Sequence, residues 1–161
     1  IASPGLAGQN NGNWQTASRW AHFLAGRHAV ELVGEWTPGM PADLLVALHA
    51  RRSAPSLAAF AHAHPDRPRV LVLTGTDLYR DIQDDAAAQA SLELADVLVV
   101  LQQAGLAELA PALRRKARVI WQSAPALPPG PRGEVVPRPL RRQAVRCAVH
   151  GLHRRHHQPV A

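Results

Sequence analysis

The sequence has a single cysteine, Cys147, in 161 residues, so it can form neither an internal disulfide nor a zinc cage built on cysteines. That excludes a disulfide-stapled scaffold and a zinc finger, and makes the cytoplasm the expected compartment. Aromatic residues are only 4% of the chain, so Leu, Val and Ala must do most of the packing. Long apolar runs are missing too. His, Arg, Asp or Pro interrupts every candidate before the roughly 18 to 20 residues a bilayer requires, so no membrane span is expected. Ile1 is not preceded by a methionine, and no charged leader precedes an apolar stretch, which reads as a truncated start without a signal peptide.

What is present is a 47% hydrophobic content, enough for the core of about one domain. The formal charge of +6 is confined to one end. Residues 132–161 hold seven arginines and one acid, whereas residues 1–131 balance eleven bases against eleven acids. A neutral body has no electrostatic attraction for nucleic acid, and no specific nucleic-acid partner is expected.

Apolar stretches of strand length recur at His28 to Val33, Asp43 to Leu48, Arg69 to Leu73, Asp96 to Leu101 and Arg118 to Trp121, after a stump at Ile1 to Ser3. Several are apolar throughout, as strands covered on both faces are, and helical patterns separate them. The pattern predicts an α/β fold with a parallel sheet and flanking helices. The first helix is expected to be capped by Asn13 and closed by Gly26, with Trp14, Ala17, Ala21 and Leu24 on one face. Further helices are expected over Ser56 to Ala63, Asp84 to Ala95 and Leu106 to Ala117. The domain spans residues 1–123. Four prolines between Ala124 and Pro131 make residues 124–133 an extended linker, and residues 134–161 read as a basic, poorly ordered tail.

In open parallel sheets, ligands bind outside the carboxyl ends of the strands, and the polar residues of this chain fall there. Asn10, Asn11, Gly12 and Asn13 form a loop feeding a helix N-terminus, which suits an anion or an acceptor and equally suits a capped turn. His49, Arg51 and Arg52 follow the Asp43 to Leu48 stretch, where two guanidinium groups either clamp a phosphate-like group or are solvated surface. Thr74, Gly75, Thr76, Asp77 and Tyr79 follow the next strand, with hydroxyls for a sugar and Asp77 as a general base, or as the acceptor of an Asx turn. Gln122 and Ser123 precede the linker as candidate cleft residues. His22, His62 and His64 suit surface or packing positions. His153, His156 and His157 resemble a metal cluster by composition only, so no metal site is expected.

The segments 10–17 with Arg19-Trp20, 42–53, 73–82 (Leu-Thr-Gly-Thr-Asp-Leu-Tyr-Arg-Asp-Ile) and 91–96 resemble the selenosugar synthases of selenoneine biosynthesis, a branch of the GT-B glycosyltransferases. The resemblance runs in order through residues 1 to about 136, and Thr74 to Tyr79 is its most specific part. It implies two Rossmann-like domains facing a cleft, and transfer of N-acetylglucosamine from its UDP donor to the selenium of selenophosphate. This chain would be the N-terminal, acceptor-side half. Asn10 to Asn13, Arg51 and Arg52 would then hold selenophosphate, with Thr74, Thr76 and Asp77 at the reacting centre. Apart from the UDP-sugar, which is a substrate, no cofactor is implied. Positioning a selenium nucleophile in line contributes more than deprotonating it, so a metal-independent inverting displacement is expected, with Asp77 optional as base.

The chain departs from this family after Val136, where a second domain would open. The tail is read as a truncated or frameshifted remnant of that domain, which the nucleotide sequence in both frames tests, and the fragment alone is expected to be inactive. Two alternatives stand beside this reading. One is a GT-B glycosyltransferase with a conventional acceptor, since one architecture serves many chemistries. The other is a non-catalytic binding module that uses its basic tail.

Overall fold

A computed structural model describes residues 1–9 and 11–123; Asn10, the linker and the basic tail, with Cys147, His153, His156 and His157, lie outside the described residues. Four apolar segments pair as parallel strands: β1 (Leu45–Leu48), β2 (Arg69–Leu73), β3 (Val97–Val100) and β4 (Ala117–Val119), in the order β1-β2-β3-β4. Val46 lies beside Val70, Leu71 beside Leu98, and Val100 beside Val119. β1 is buried along its whole length, as its unbroken apolar run predicts.

The expected stump is a single bridging residue. Ala2 is inserted between Val33 and Ala47: its N–H donates to Val46 O (2.8 Å), and Leu48 N–H donates to Ala2 O (3.0 Å). On its other side, Ser3 N–H donates to Val33 O and Val33 N–H to Ile1 O, both at 2.9 Å. The expectation of a strand over His28 to Val33 is corrected to this one bridge. An edge segment cannot extend beyond its partner, and the partner here is one residue long.

Around the sheet lie α1 (Gly12–Leu24), α2 (Ala54–Ala63), α3 (Ile82–Asp84), α4 (Ala86–Leu94) and α5 (Pro111–Arg114), with short 3₁₀ turns at Ala7–Gln9 and Gln103–Leu106 and a π-helical turn at Asp77–Asp81. One face carries the larger core, in which Leu57 and Phe60 of α2 and Leu92 of α4 meet Leu45, Ala47, Leu71 and Leu98. Trp36 closes this core, with its ring edge-on to Phe60 (5.0 Å between centroids). The opposite face has a smaller cluster, where Ala17 of α1 packs with Val46, Leu48, Val72 and Val99, and half-buried Trp20 lies against it. α1 and α2 therefore leave neighbouring parallel segments toward opposite faces.

Helix boundaries differ from expectation: α2 begins at Ala54 rather than Ser56, and α4 begins at Ala86 with Asp85 as its cap, Asp84 belonging to α3. α1 is capped by Asn11, whose Oδ1 accepts from Trp14 N–H (3.1 Å), and not by Asn13, which lies inside the helix. Leu106 to Ala117 is not one helix: Pro111, which lacks an N–H, starts the four-residue α5 after a break. Gly105, in the preceding 3₁₀ turn, is packed so closely that an added Cβ would stand 3.1 Å from Val100 Cβ and 2.9 Å from Leu78 Cδ2. Gly105→Ala is expected to destabilise by about 1–2 kcal/mol in urea unfolding, because the branch point of Val100 cannot yield. Unchanged stability would show that this contact relaxes freely.

Candidate functional site

Where successive connections leave a parallel sheet toward opposite faces, their loops part and open a crevice at the carboxyl edge. Here that point lies between Ala2 and β1, so the loop after Ser3 and the turn His49 to Ser53 border it. The turn after β1 is built by buried hydroxyls. Ser53 Oγ donates to Leu48 O (2.6 Å), and Ser91 Oγ of α4 donates to Ala50 O (2.7 Å).

Two carboxylates from the π-helical turn hold this turn against the end of β2. Asp77 is fully buried; its Oδ2 accepts from Ala50 N–H (2.9 Å), and its Oδ1 from Thr74 N–H (3.0 Å) and Gly75 N–H (2.9 Å). Gly75 has φ +134°, a conformation that L side chains rarely adopt. One turn further on, Asp81 lies 3.3 Å from Arg51 Nε through Oδ2 and 3.0 Å from Arg80 Nε through Oδ1.

His49 completes the cluster. It is almost fully buried and has φ +71°, an uncommon conformation for a residue with a Cβ. Its Nδ1 lies 3.4 Å from the Arg52 backbone N–H and its Nε2 lies 3.2 Å from Thr76 Oγ1. Burial lowers the imidazole pKa, opposed by the charge of Asp77; Arg52 lowers it further, Asp81 raises it and Arg51 lowers it. The hydrogen bond from Arg80 holds the Asp81 carboxyl below its ordinary value against burial, helped by the charges of Arg51, Arg80 and His49. At the other end of the sheet, the bidentate contact from Arg69 (3.0 and 3.1 Å) does the same for Asp96.

All three shifts act in one direction. A histidine kept neutral by burial stabilises the fold fully above the unfolded pKa of about 6.5 and progressively less below it, and depressed carboxylates lose their contribution at lower pH still. The urea midpoint is expected to decline in two limbs on acidification, with His49→Asn removing the first. A single limb in the parent chain would contradict this.

The structure thus brings together His49, Arg51, Thr76 and Asp77, and gives two of them different work from that expected. The reading of Asp77 as general base is corrected to positioning, because its oxygens are engaged by three backbone amides. Arg51 and Arg52 do not act as a symmetrical pair: Arg51 is tied to Asp81, while the exposed Arg52 side chain has no partner among the described residues. The N–H groups of Thr74 and Gly75 are likewise taken by Asp77.

The remaining candidates lie on other contacts. The Asn11 side chain caps α1, which begins at Gly12, and its Nδ2 donates to Gln9 Oε1 (3.2 Å). The Tyr79 hydroxyl accepts from Gln102 Nε2. Gln122 donates to Thr16 Oγ1 (2.7 Å), and Ser123 accepts from Arg19 Nε (2.9 Å), so both tie the chain to α1. His22 and His62 are exposed, and His64 packs against Trp36 and Phe60. Asp81, Ser53 and Ser91 were not singled out from sequence. Only Asp81 left a signal there, four residues after Asp77 and so on the same side of a helical turn.

The described chain is therefore an α/β protein with a four-stranded parallel sheet and flanking helices, and none of those helices is long and apolar enough to cross a membrane. Its candidate site is a cluster of donors at the carboxyl edge. Neither the family models nor the curated proteins compared with the chain match it.

Proposed function

We propose that this chain is the acceptor-side, Rossmann-like half of a GT-B glycosyltransferase, and that its acceptor is selenophosphate. One observation carries the reading. Three of the segments that resemble selenosugar synthases, in their described parts 11–20, 42–53 and 73–82, contribute to the carboxyl edge of one parallel sheet, and two of them interlock through His49, Thr76 and Asp77. In the proposed reaction, selenium forms a bond to the anomeric carbon of N-acetylglucosamine as the bond to the UDP oxygen breaks, UDP leaves with the electron pair, and water then takes the phosphoryl group from selenium, releasing phosphate and the selenosugar. Arg52 and the Thr76 hydroxyl would hold the phosphoryl oxygens so that selenium is presented in line. Asp77 would keep the two loops in register.

Calorimetric titration of the 161-residue chain with selenophosphate, with phosphate and thiophosphate as controls, tests the acceptor. Saturable binding of selenophosphate supports the reading, and a folded chain that binds none of the three refutes it. A version carrying a nucleotide-sugar domain is expected to release UDP and form the selenosugar, whereas glycosylation of a conventional hydroxyl acceptor alone would assign a different GT-B reaction.

A further inference from the structure

Two arginines share the buried carboxylate of Asp81, and they hold it unequally. Arg80 Nε donates a hydrogen bond to Oδ1 at 3.0 Å, whereas Arg51 Nε stands 3.3 Å from Oδ2, an oxygen that accepts no hydrogen bond among the described residues. Buried acceptors are rarely left in that state, so the contact is not one built for stability alone. We infer that Asp81 is a positioning residue that sets the anion affinity of the crevice by competing with the ligand for Arg51, an inference that rests on the acceptor site proposed above. The guanidinium either rests on Asp81 or turns to the anion beside Arg52, and Arg80 keeps the buried carboxylate paired in both arrangements.

The turn after β1 allows this exchange. Arg51 directly precedes Arg52, and its side chain is 41% exposed whereas that of Asp81 is 4% exposed, so the cation has room to move and the carboxylate has not. The contact with Asp81 runs through Nε. The terminal nitrogens of Arg51, the fork that matches an oxyanion, have no hydrogen bond among the described residues. The His49 pKa, lowered chiefly by burial, also responds to Asp81 and Arg51, which places the pair within electrostatic reach of the crevice.

Taking a cation from a buried carboxylate is costly when it strands the charge. Here the hydrogen bond from Arg80, the main cause of the depressed Asp81 pKa, stays in place, so the charge is not stranded. What is given up is an ion pair with one partly exposed partner, a modest contribution, and what is gained is a forked, charge-assisted contact to the anion. Anion binding is therefore favoured by Arg51, but is weaker than it would be without Asp81 by the strength of the pair that must open.

Sulfate is the probe, and amide shifts of Ala50, Arg52 and Thr76 in the full chain report its affinity at neutral pH and constant ionic strength. Asp81→Asn, which keeps the shape of the side chain and removes its charge, is expected to bind sulfate about fivefold more tightly than the parent. Loss of a negative charge near the site would act in the same direction without any exchange, so the double-mutant cycle decides: in an Arg51→Ala background the gain from Asp81→Asn is expected to vanish. In the parent chain the Arg51 Nε–H resonance is expected to shift as sulfate saturates, a readout that depends on no variant folding. An Asp81→Asn chain that binds sulfate no better than the parent, a gain that persists in full without Arg51, an Arg51 resonance that does not respond, or no sulfate binding would each overturn the inference. If the parent binds selenophosphate while these effects are missing, the inference fails and the acceptor reading stands. If they are found with sulfate while selenophosphate is not bound, the acceptor reading fails and the competition for Arg51 stands.

Discussion

Asp77→Ala is expected to destabilise the protein by about 3–5 kcal/mol, a large part of the 5–15 kcal/mol that typically holds a domain together. The loss does not come from a surface charge. Removing the carboxylate strips the acceptor from three backbone amides at Ala50, Thr74 and Gly75, in a place where Ala50 is fully buried and water cannot substitute without opening the fold. Asp77→Asn is expected to fall between the two, since its oxygen can still serve Thr74 and Gly75 while its amide faces the Ala50 donor. Urea unfolding followed by circular dichroism measures both. A loss below about 0.5 kcal/mol for Asp77→Ala, the ordinary range for surface substitutions, would remove the structural role assigned to this residue.

The second large effect separates two adjacent arginines. Arg52→Ala is expected to weaken binding of an anionic acceptor by about tenfold or more while leaving the unfolding midpoint unchanged, because its exposed side chain has no other partner among the described residues. Arg51→Ala is expected to lower the unfolding midpoint as well, because it leaves the Oδ2 of buried Asp81 without its cation. Parallel calorimetric titrations and thermal melts of the two variants decide this. Equal effects of the two substitutions on both measurements would restore the symmetrical clamp suggested by adjacency in sequence.

The legible parts of this protein were those that depend on neighbours in sequence. The stretch Arg69 to Leu73, apolar from Val70 on, coincides with β2 residue for residue, and β1 and β3 lie inside their expected stretches. The position of the polar loops at the strand ends followed from the same alternation. What could not be read depends on partners far along the chain. Asp77 looks like a base beside two threonines until Ala50, 27 residues away, proves to be one of its donors. Arg51 looks free until Asp81 is brought beside it. The stretch His28 to Val33 has strand composition, yet its neighbour in space offers only one residue to pair with. Asn11 and Asn13 have the same capping chemistry, and only the path of the loop selects the first. In each case the deciding partner lies outside the local stretch of sequence.

The order of the sheet also bears on how the chain assembles. From β1 to β4 each strand lies beside the one before it, so each can dock on an edge that already exists, closing only the loop that contains its own connection. Ala2 is the exception. It precedes both of its neighbours in the chain, yet it is seated between Val33 and Ala47 and has no place until both are present. Its seat is available once Ala47 has been added, before β2 has been made. A nascent chain can therefore seat Ala2 before it carries the Asp77 clasp, and the loops at the carboxyl edge are joined only when Asp77 reaches back to the Ala50 amide.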